Sequence, residues 1–223
     1  MITNYGHPVP RQSELSLAGH KPMDPGHSFW LAPGVWPPAL VLKLQSQFVR
    51  ILDVGCGINK LAGSIGIDRN PASRADVLVD VDHIPYPFRD SSFDKLQAVH
   101  VIEHVSDVIR TMEEWHRLVR PGGEVFIVTP HYTDFSSFCD PTHRWHLNSF
   151  SLRYFGDDNA GFGYYSAARF EEFSVRVKLL AFWRWLGFEW AVNSSKRFRR
   201  FWEYYLCYVV RGKVIEWRLR AIK

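Results

Sequence analysis

The chain has 223 residues, 46% of them hydrophobic and 22% charged, which supplies one sizeable core and excludes global disorder. Its net charge of +4 hides an asymmetry: from Arg176 onward there are 12 Lys/Arg against 3 Asp/Glu, while the remainder has 15 against 20. Three cysteines, Cys56, Cys139 and Cys207, are few, odd in number and widely spaced, which argues against a disulfide framework or a structural zinc site.

No charged-then-apolar leader opens the chain. The longest apolar stretches, near Leu31–Leu42 and Tyr204–Val210, are too short or too proline-broken to span a bilayer, so a cytoplasmic protein is expected. Residues 1–48 lack periodicity and are rich in Pro, Gly and aromatics; they read as an irregular N-terminal arm. Phe29, Trp30 and Trp36 suggest that this arm packs on something, for instance as a lid.

Regular patterning starts with Val49–Val54, an apolar run ended by Gly55-Cys56-Gly57, which predicts a strand stopped by a turn. Ser64–Asp68 and Asp76–Asp80 are further short strands, each ended by Asp, and Phe93–His100 is a fourth. Ser106–Val119 has helical spacing, with Ser106 as the expected cap and Arg120-Pro121-Gly122-Gly123 as the stop. Glu124–Thr129 is a fifth strand. Beyond it the pattern predicts a short helix over Asn148–Phe155, a strand over Phe173–Ala181, a helix over Lys196–Arg211 and a last strand over Lys213–Ile222. Short apolar strands separated by turns and helices predict an α/β fold, a largely parallel sheet with helices on both faces. Residues 49–223 form the expected domain, its first half ending near residue 130.

The strongest chemical signal is Ile51-Leu52-Asp53-Val54-Gly55-Cys56-Gly57. A strand that runs into Gly-x-Gly lets the backbone approach a ligand at the carboxyl edge of the sheet. Asp68 closes the next strand, 11 positions after Gly57, where an ionised carboxylate can accept from both hydroxyls of a ribose. Asp80 ends the third strand, where it can face an adenine edge. A nicotinamide fold expects a glycine three positions after Gly57; Lys60 stands there instead.

These segments recur in a known order: Asp53–Gly57, Gly66-Ile67-Asp68, Asp80 with Ile84–Phe88 and Ser92-Phe93-Asp94, Val101-Ile102-Glu103-His104-Val105, and Leu118–Gly123. Together they resemble the motifs of class I S-adenosylmethionine-dependent methyltransferases (type 11-like), most closely the group related to quinone-biosynthesis enzymes. The resemblance covers about residues 49–130. It implies a Rossmann-like seven-stranded sheet whose last strands include an antiparallel one. It implies S-adenosyl-L-methionine as the cofactor, with Asp53, Gly55, Cys56 and Gly57 around its methionine part, Asp68 at the ribose, Asp80 and Val81 at the adenine, and His100 near the sulfonium. Asn59 stands where many relatives have a third glycine, and Ile58–Ser64 has room for about two helical turns. Lys60 reads equally as a partner of the methionine carboxylate or as an exposed lysine.

The acceptor side is marked by His131, Asp134, Asp140, His143 and His146, directly after the fifth strand. His143 and His146 suit bracing of the loop. His143, Asp140 and His131 are the candidates for a general base, which a hydroxyl acceptor needs. Asp140, His143 and His146 are also spaced for a metal cluster; no metal is expected. His104 reads as scaffold. The sequence thus points to methyl transfer, to oxygen on a small molecule or glycan. Two rivals are a nucleic-acid methyltransferase, for which the Asn-Pro-Pro-Tyr type motif is absent, and a non-catalytic S-adenosylmethionine-binding domain. The basic segment Lys196–Lys213 admits two readings: a helix burying Phe198, Phe201 and Trp202, or a peripheral contact with an anionic membrane surface.

Overall fold

The computed structural model describes residues 49–156 and 163–223; the expected N-terminal arm, residues 1–48, lies outside them. The sheet has seven strands: β1 Ile51–Val54, β2 Ile65–Asp68, β3 Val77–Leu78, β4 Phe93–Val99, β5 Val119–Pro130, β6 Arg169–Leu179 and β7 Gly212–Ile222. Their order is β3-β2-β1-β4-β5-β7-β6. The strands β1 to β5 are parallel, and β7 runs antiparallel to both β5 and β6, so β6 shares the direction of the first five. This is the Rossmann-like, mostly parallel α/β sheet that the sequence predicts.

Side chains alternate across the strands. Leu52, Leu96, Val125, Ile127, Trp217 and Leu219 are fully buried, whereas Lys95, Glu124, Arg218 and Arg220 line the opposite face. Helix α1 (Val108–Leu118) packs Met112, Trp115 and Leu118 into the apolar side. On the other side, Lys95 and Arg218 lie over the Phe126 ring, and Arg218 and Arg220 pair with Glu124 and Glu171. Cross-strand pairs of this kind suit a sheet face that meets water. The described helices therefore cover one face; the second helical layer of the prediction is not among the described residues.

Several boundaries differ from expectation. Asp107, not Ser106, caps α1, accepting from the Ile109 and Arg110 amides. The predicted stop Arg120–Gly123 falls inside β5, as an irregularity between Val119, paired with Phe93, and Glu124, paired with Lys95. No helix forms over Ile58–Ser64: Asp53 accepts the Leu61 amide at 2.7 Å, and the segment folds as turns against β1 and β2. Asn148–Phe155 shortens to a single 3-10 turn over Ser151–Phe155. Between β5 and this turn lies α2 (Ser136–Cys139). Residues 180–211 hold three helices where one was expected: α3 Ala181–Trp185, α4 Phe188–Ser194 and α5 Lys196–Tyr205.

Candidate active site

The ends of β1, β2 and β3 meet the end of β4 at one edge of the sheet. Successive crossovers leave β1 on opposite sides there, and such a switch point is where α/β sheets leave a crevice. A cleft of about 550 Å³ opens at this edge, within the size range of small-molecule sites. Gly55, Asp68, Asp80, Val81 and His100, all singled out from sequence, line it together.

Local physics explains each position. Gly55 has φ +62°, and a Cβ there would lie 2.5 Å from Val101 Cγ2, so only glycine keeps the turn open beside Val101. Asp68 accepts the Gly57 amide on Oδ2 at 2.9 Å and the Asn70 amide on Oδ1 at 2.8 Å. Each oxygen keeps a lone pair, so the carboxylate can still accept from a ribose diol. Asp80 receives the Asp82 amide and lies 3.3 Å from His83 Nδ1. His100 takes φ +56° at the end of β4, an uncommon conformation for a residue with a side chain, and its Nδ1 lies 3.1 Å from Glu103 Oε1.

Asp53, Cys56 and Gly57 do not line the cleft; they hold its turn. Burial pushes the Asp53 carboxyl up against the effect of the Leu61 amide. Cys56 is buried, and burial together with the Asp53 and Asp68 charges pushes its thiol up, so it is a packing group rather than a nucleophile. Lys60 is bound to both Asp76 oxygens at 2.8 Å, which hold it on β2 instead of leaving it for a ligand carboxylate.

The acceptor-side residues separate into three places. His131 is fully buried beneath Gly212, whose Cβ would lie 2.6 Å from its ring. Its Nδ1 meets Thr133 Oγ1 at 2.7 Å and its Nε2 meets Glu203 at 3.2 Å. It is a core clamp and leaves the set of candidate bases. His146 bonds Ser137 Oγ at 2.9 Å and stacks on Phe138.

Asp140 and His143 do come to the cleft's rim, by a route that spacing did not reveal. The amides of Arg144 and Trp145 both donate to the Glu103 carbonyl, and Trp145 Nε1 donates to the Val105 carbonyl. This pins the loop on Glu103–Val105. The His104 and His143 rings then meet edge to face, 4.6 Å apart. Thr142 Oγ1 donates to Asp140 Oδ1 at 2.7 Å and lies 2.9 Å from His104 Nδ1. With its proton given to Asp140, Thr142 accepts from His104; His104 therefore carries its proton on Nδ1 and presents a lone pair on Nε2. Thr142's hydroxyl and amide hold the Asp140 carboxyl below its ordinary value, so the relay ends on an anion. His104 and Thr142 line the cleft, while the His143 side chain is only 8% exposed and its Nδ1 donates to the Ser137 carbonyl. The sequence reading of His104 as scaffold missed this; the Thr142 contact spans 38 residues and leaves no local pattern.

Glu103 is 1% exposed, and its Oε2 has no hydrogen-bond partner among the described residues. One donor atom each of Glu103, His104 and His143 lie within 4.8 Å of one another. Ligand atoms around tetrahedral zinc sit about 3.3 Å apart, given bonds of about 2.0–2.1 Å.

Comparison with known proteins agrees with this geometry. A family model described as a methyltransferase domain matches residues 52–127. Tocopherol O-methyltransferase of Arabidopsis thaliana is 28% identical over 127 residues, 47% of this chain and 36% of that protein. Demethylmenaquinone methyltransferase of Chlorobaculum parvum is 30% identical over 98 residues, 36% of this chain and 41% of that protein. Relatives named for tRNA methylation match as well. The chain spans between 24% and 41% of the length of these curated relatives. A solved methyltransferase from Archaeoglobus fulgidus, described as SAM dependent, shares the fold with a TM-score of 0.50 at 18% identity, covering 82% of this chain and 91% of that one.

Proposed function

We propose that this chain, which matches a methyltransferase domain model over residues 52–127, is a class I S-adenosylmethionine-dependent methyltransferase and that it methylates a hydroxyl oxygen of a small molecule or glycan, with His104 as the base. S-adenosylmethionine, when bound, supplies a methyl group already activated on a cationic sulfonium. Asp68 would accept from the ribose hydroxyls, the Gly55 turn would give the methionine part its close approach, and Asp80 with Val81 would border the adenine. His104 Nε2 takes the proton of the acceptor hydroxyl. Thr142 and Asp140 keep the His104 proton on Nδ1 and stabilise the imidazolium that forms.

The observation that carries the reading is that one cleft contains both the Asp68 carboxylate and a histidine whose free nitrogen is fixed by a relay to an anion. The same relay favours an oxygen acceptor, because methyl transfer needs a base only where the nucleophile must lose a proton. A nucleic-acid acceptor is less well supported: none of the 12 cations from Arg176 onward lines the cleft.

Calorimetry and transfer of a labelled methyl group to a panel of hydroxyl acceptors test the proposal. Asp68→Ala is expected to weaken S-adenosylhomocysteine binding by about 1–3 kcal/mol, the cost of unpaired buried partners. His104→Gln is expected to lower turnover by about 10²–10⁴-fold, with cofactor affinity retained. Thr142→Val should move the pH–rate profile, and Thr142→Ser should restore it. A His104→Gln protein as active as the parent removes the base assignment; an Asp68→Ala protein that binds normally removes the cofactor site.

A further inference from the structure

The residues between β6 and β7 do more than connect two strands. Leu179 at the end of β6 pairs directly with Gly212 at the start of β7, so a tight hairpin would suffice. Residues 180–211 instead make an excursion of three short helices. It is built on a small core of its own, with Val192, Trp202, Cys207 and Val210 buried against Val177 and Leu179. Asn193 is clamped to both the amide and the carbonyl of Val177, and Trp202 Nε1 donates to the Val210 carbonyl. The excursion is thus held in a fixed place.

Its outer surface is unusual. Trp185 is 81% exposed, Trp190 79%, Tyr208 75%, Tyr204 73%, Tyr205 72% and Phe182 60%. On α5, Phe198, Phe201 and Tyr205 touch ring to ring and form one outward stripe, while Arg199 and Trp202 turn inward. The expectation that Phe198 and Phe201 fill the core is corrected here: they are 36% and 47% exposed.

The charges are sorted as well. The two acids of the excursion are spent on structure, Glu189 accepting the Leu179 amide and Glu203 accepting the Ser149 amide beside His131. The exposed charges that remain are Arg184, Lys196, Arg197, Arg200 and Arg211, all positive. Beside Trp190, a groove of about 420 Å³ gathers Arg176, Lys178 and Arg184, none of them in an ion pair among the described residues, together with Glu189, whose Oε2 accepts the Leu179 amide.

We infer that this excursion docks the protein on an anionic lipid bilayer. Exposed Trp, Tyr and Phe settle at the headgroup level, and cations on the same surface meet lipid phosphates. The groove beside Trp190 suits one headgroup phosphate, held by three cations next to an indole at interface depth. β6 runs parallel to β1–β5, so the excursion leaves the same sheet edge at which the cleft opens. A docked protein presents its cleft toward the interface.

Flotation of the full chain with vesicles tests the inference. The parent protein is expected to float with equal parts phosphatidylglycerol and phosphatidylcholine at low salt, to stay unbound with phosphatidylcholine alone, and to be released by added salt. Trp185→Ala with Trp190→Ala, and separately Arg197→Glu with Arg200→Glu, should each weaken partition by at least about tenfold. Both variants should keep the far-ultraviolet circular dichroism and the S-adenosylhomocysteine affinity of the parent. No flotation of the parent at low salt overturns the inference, as does equal flotation of parent and variants. Self-association, or binding of a single-stranded RNA oligomer, that the same variants abolish while vesicles are ignored also overturns it, and assigns the surface to that partner.

Discussion

Two glycines in one turn show how a single atom decides between roles. Gly55 and Gly57 both have positive φ, +62° and +52°, but only Gly55 has a neighbour in the way, with Val101 Cγ2 at 2.5 Å from an added Cβ. Gly57→Ala should therefore cost only the left-handed backbone penalty of about 1–2 kcal/mol. Gly55→Ala should cost more and should also block the cleft. Urea unfolding with calorimetry of S-adenosylhomocysteine checks this; equal effects of the two changes would contradict it. Glu203 gives a pH prediction. Burial would raise its carboxyl, but the hydrogen bonds and charge of His131 and the bond from Ser149 outweigh burial and hold it below the ordinary value. A depressed folded value means that its stabilisation is complete above the unfolded value of about 4.3 and is lost as pH falls through the folded one. Glu203→Gln should flatten the acid limb of the stability curve, measured as urea midpoints between neutral and acid pH. A parallel curve at every pH would remove Glu203 from that role.

Helix α1 shows what a cap contributes at the scale of an element. Asp107 accepts two amides of the first turn, so Asp107→Ala should destabilise the protein by about 0.5–2 kcal/mol, read from the shift in urea midpoint, while Ser106→Ala should change little. The cap was misplaced by one residue from sequence because Ser106 and Asp107 are both good caps; Asp82 settles the matter by accepting the Ser106 amide. The strands β1 and β2 were legible because each is a short apolar run that stops at Gly or Asp, Val54 before Gly55 and then Asp68, whereas β3 shrinks to Val77–Leu78 and leaves Asp80 two residues beyond it. Next to those endings lie Gly55, Asp68 and Asp80, which line the cleft and are proposed to face the cofactor. The relay could not be read from the sequence, since it depends on Arg144 and Trp145 bonding to the Glu103 carbonyl across some forty residues. The room for two helical turns over Ile58–Ser64 goes unused for a local reason, the capture of the Leu61 amide by Asp53. On α5, helical spacing grouped Phe198, Phe201 and Tyr205 correctly but added Trp202, which turns inward, and spacing carries no sign. Which side faces in is decided by the Val210 carbonyl, which takes the Trp202 indole proton. The helices α3 and α4 are too short for a periodic pattern, with Gly187 at φ +82° between them.

At the scale of the whole molecule, one edge of the sheet carries two separable devices, the cleft at the ends of β1 to β4 and the aromatic, cationic excursion after β6. They are bridged by the segment from His131 to Ser149, which reaches Glu203 and Cys207 on one side and Glu103 on the other. If they are separable, cofactor binding should stabilise the folded chain without regard to the excursion. A ligand that binds only the native state adds about 2.7 kcal/mol at a free concentration of 100 times its Kd. For a domain of this size, each kcal/mol moves the midpoint by about 2–4 °C, so S-adenosylhomocysteine should raise Tm by about 5–11 °C. The full rise should persist in the Trp185→Ala, Trp190→Ala protein, because neither indole lines the cleft. It should shrink at the same ligand concentration in Asp68→Ala, whose cleft lacks the diol acceptor. Thermal denaturation of the three proteins with and without ligand reads this directly. A flat response of the parent would remove the cleft as the cofactor site. A rise lost in the tryptophan variant would mean that the excursion and the cleft form one coupled element, and the membrane surface would then have to be sought in the site's own opening and closing.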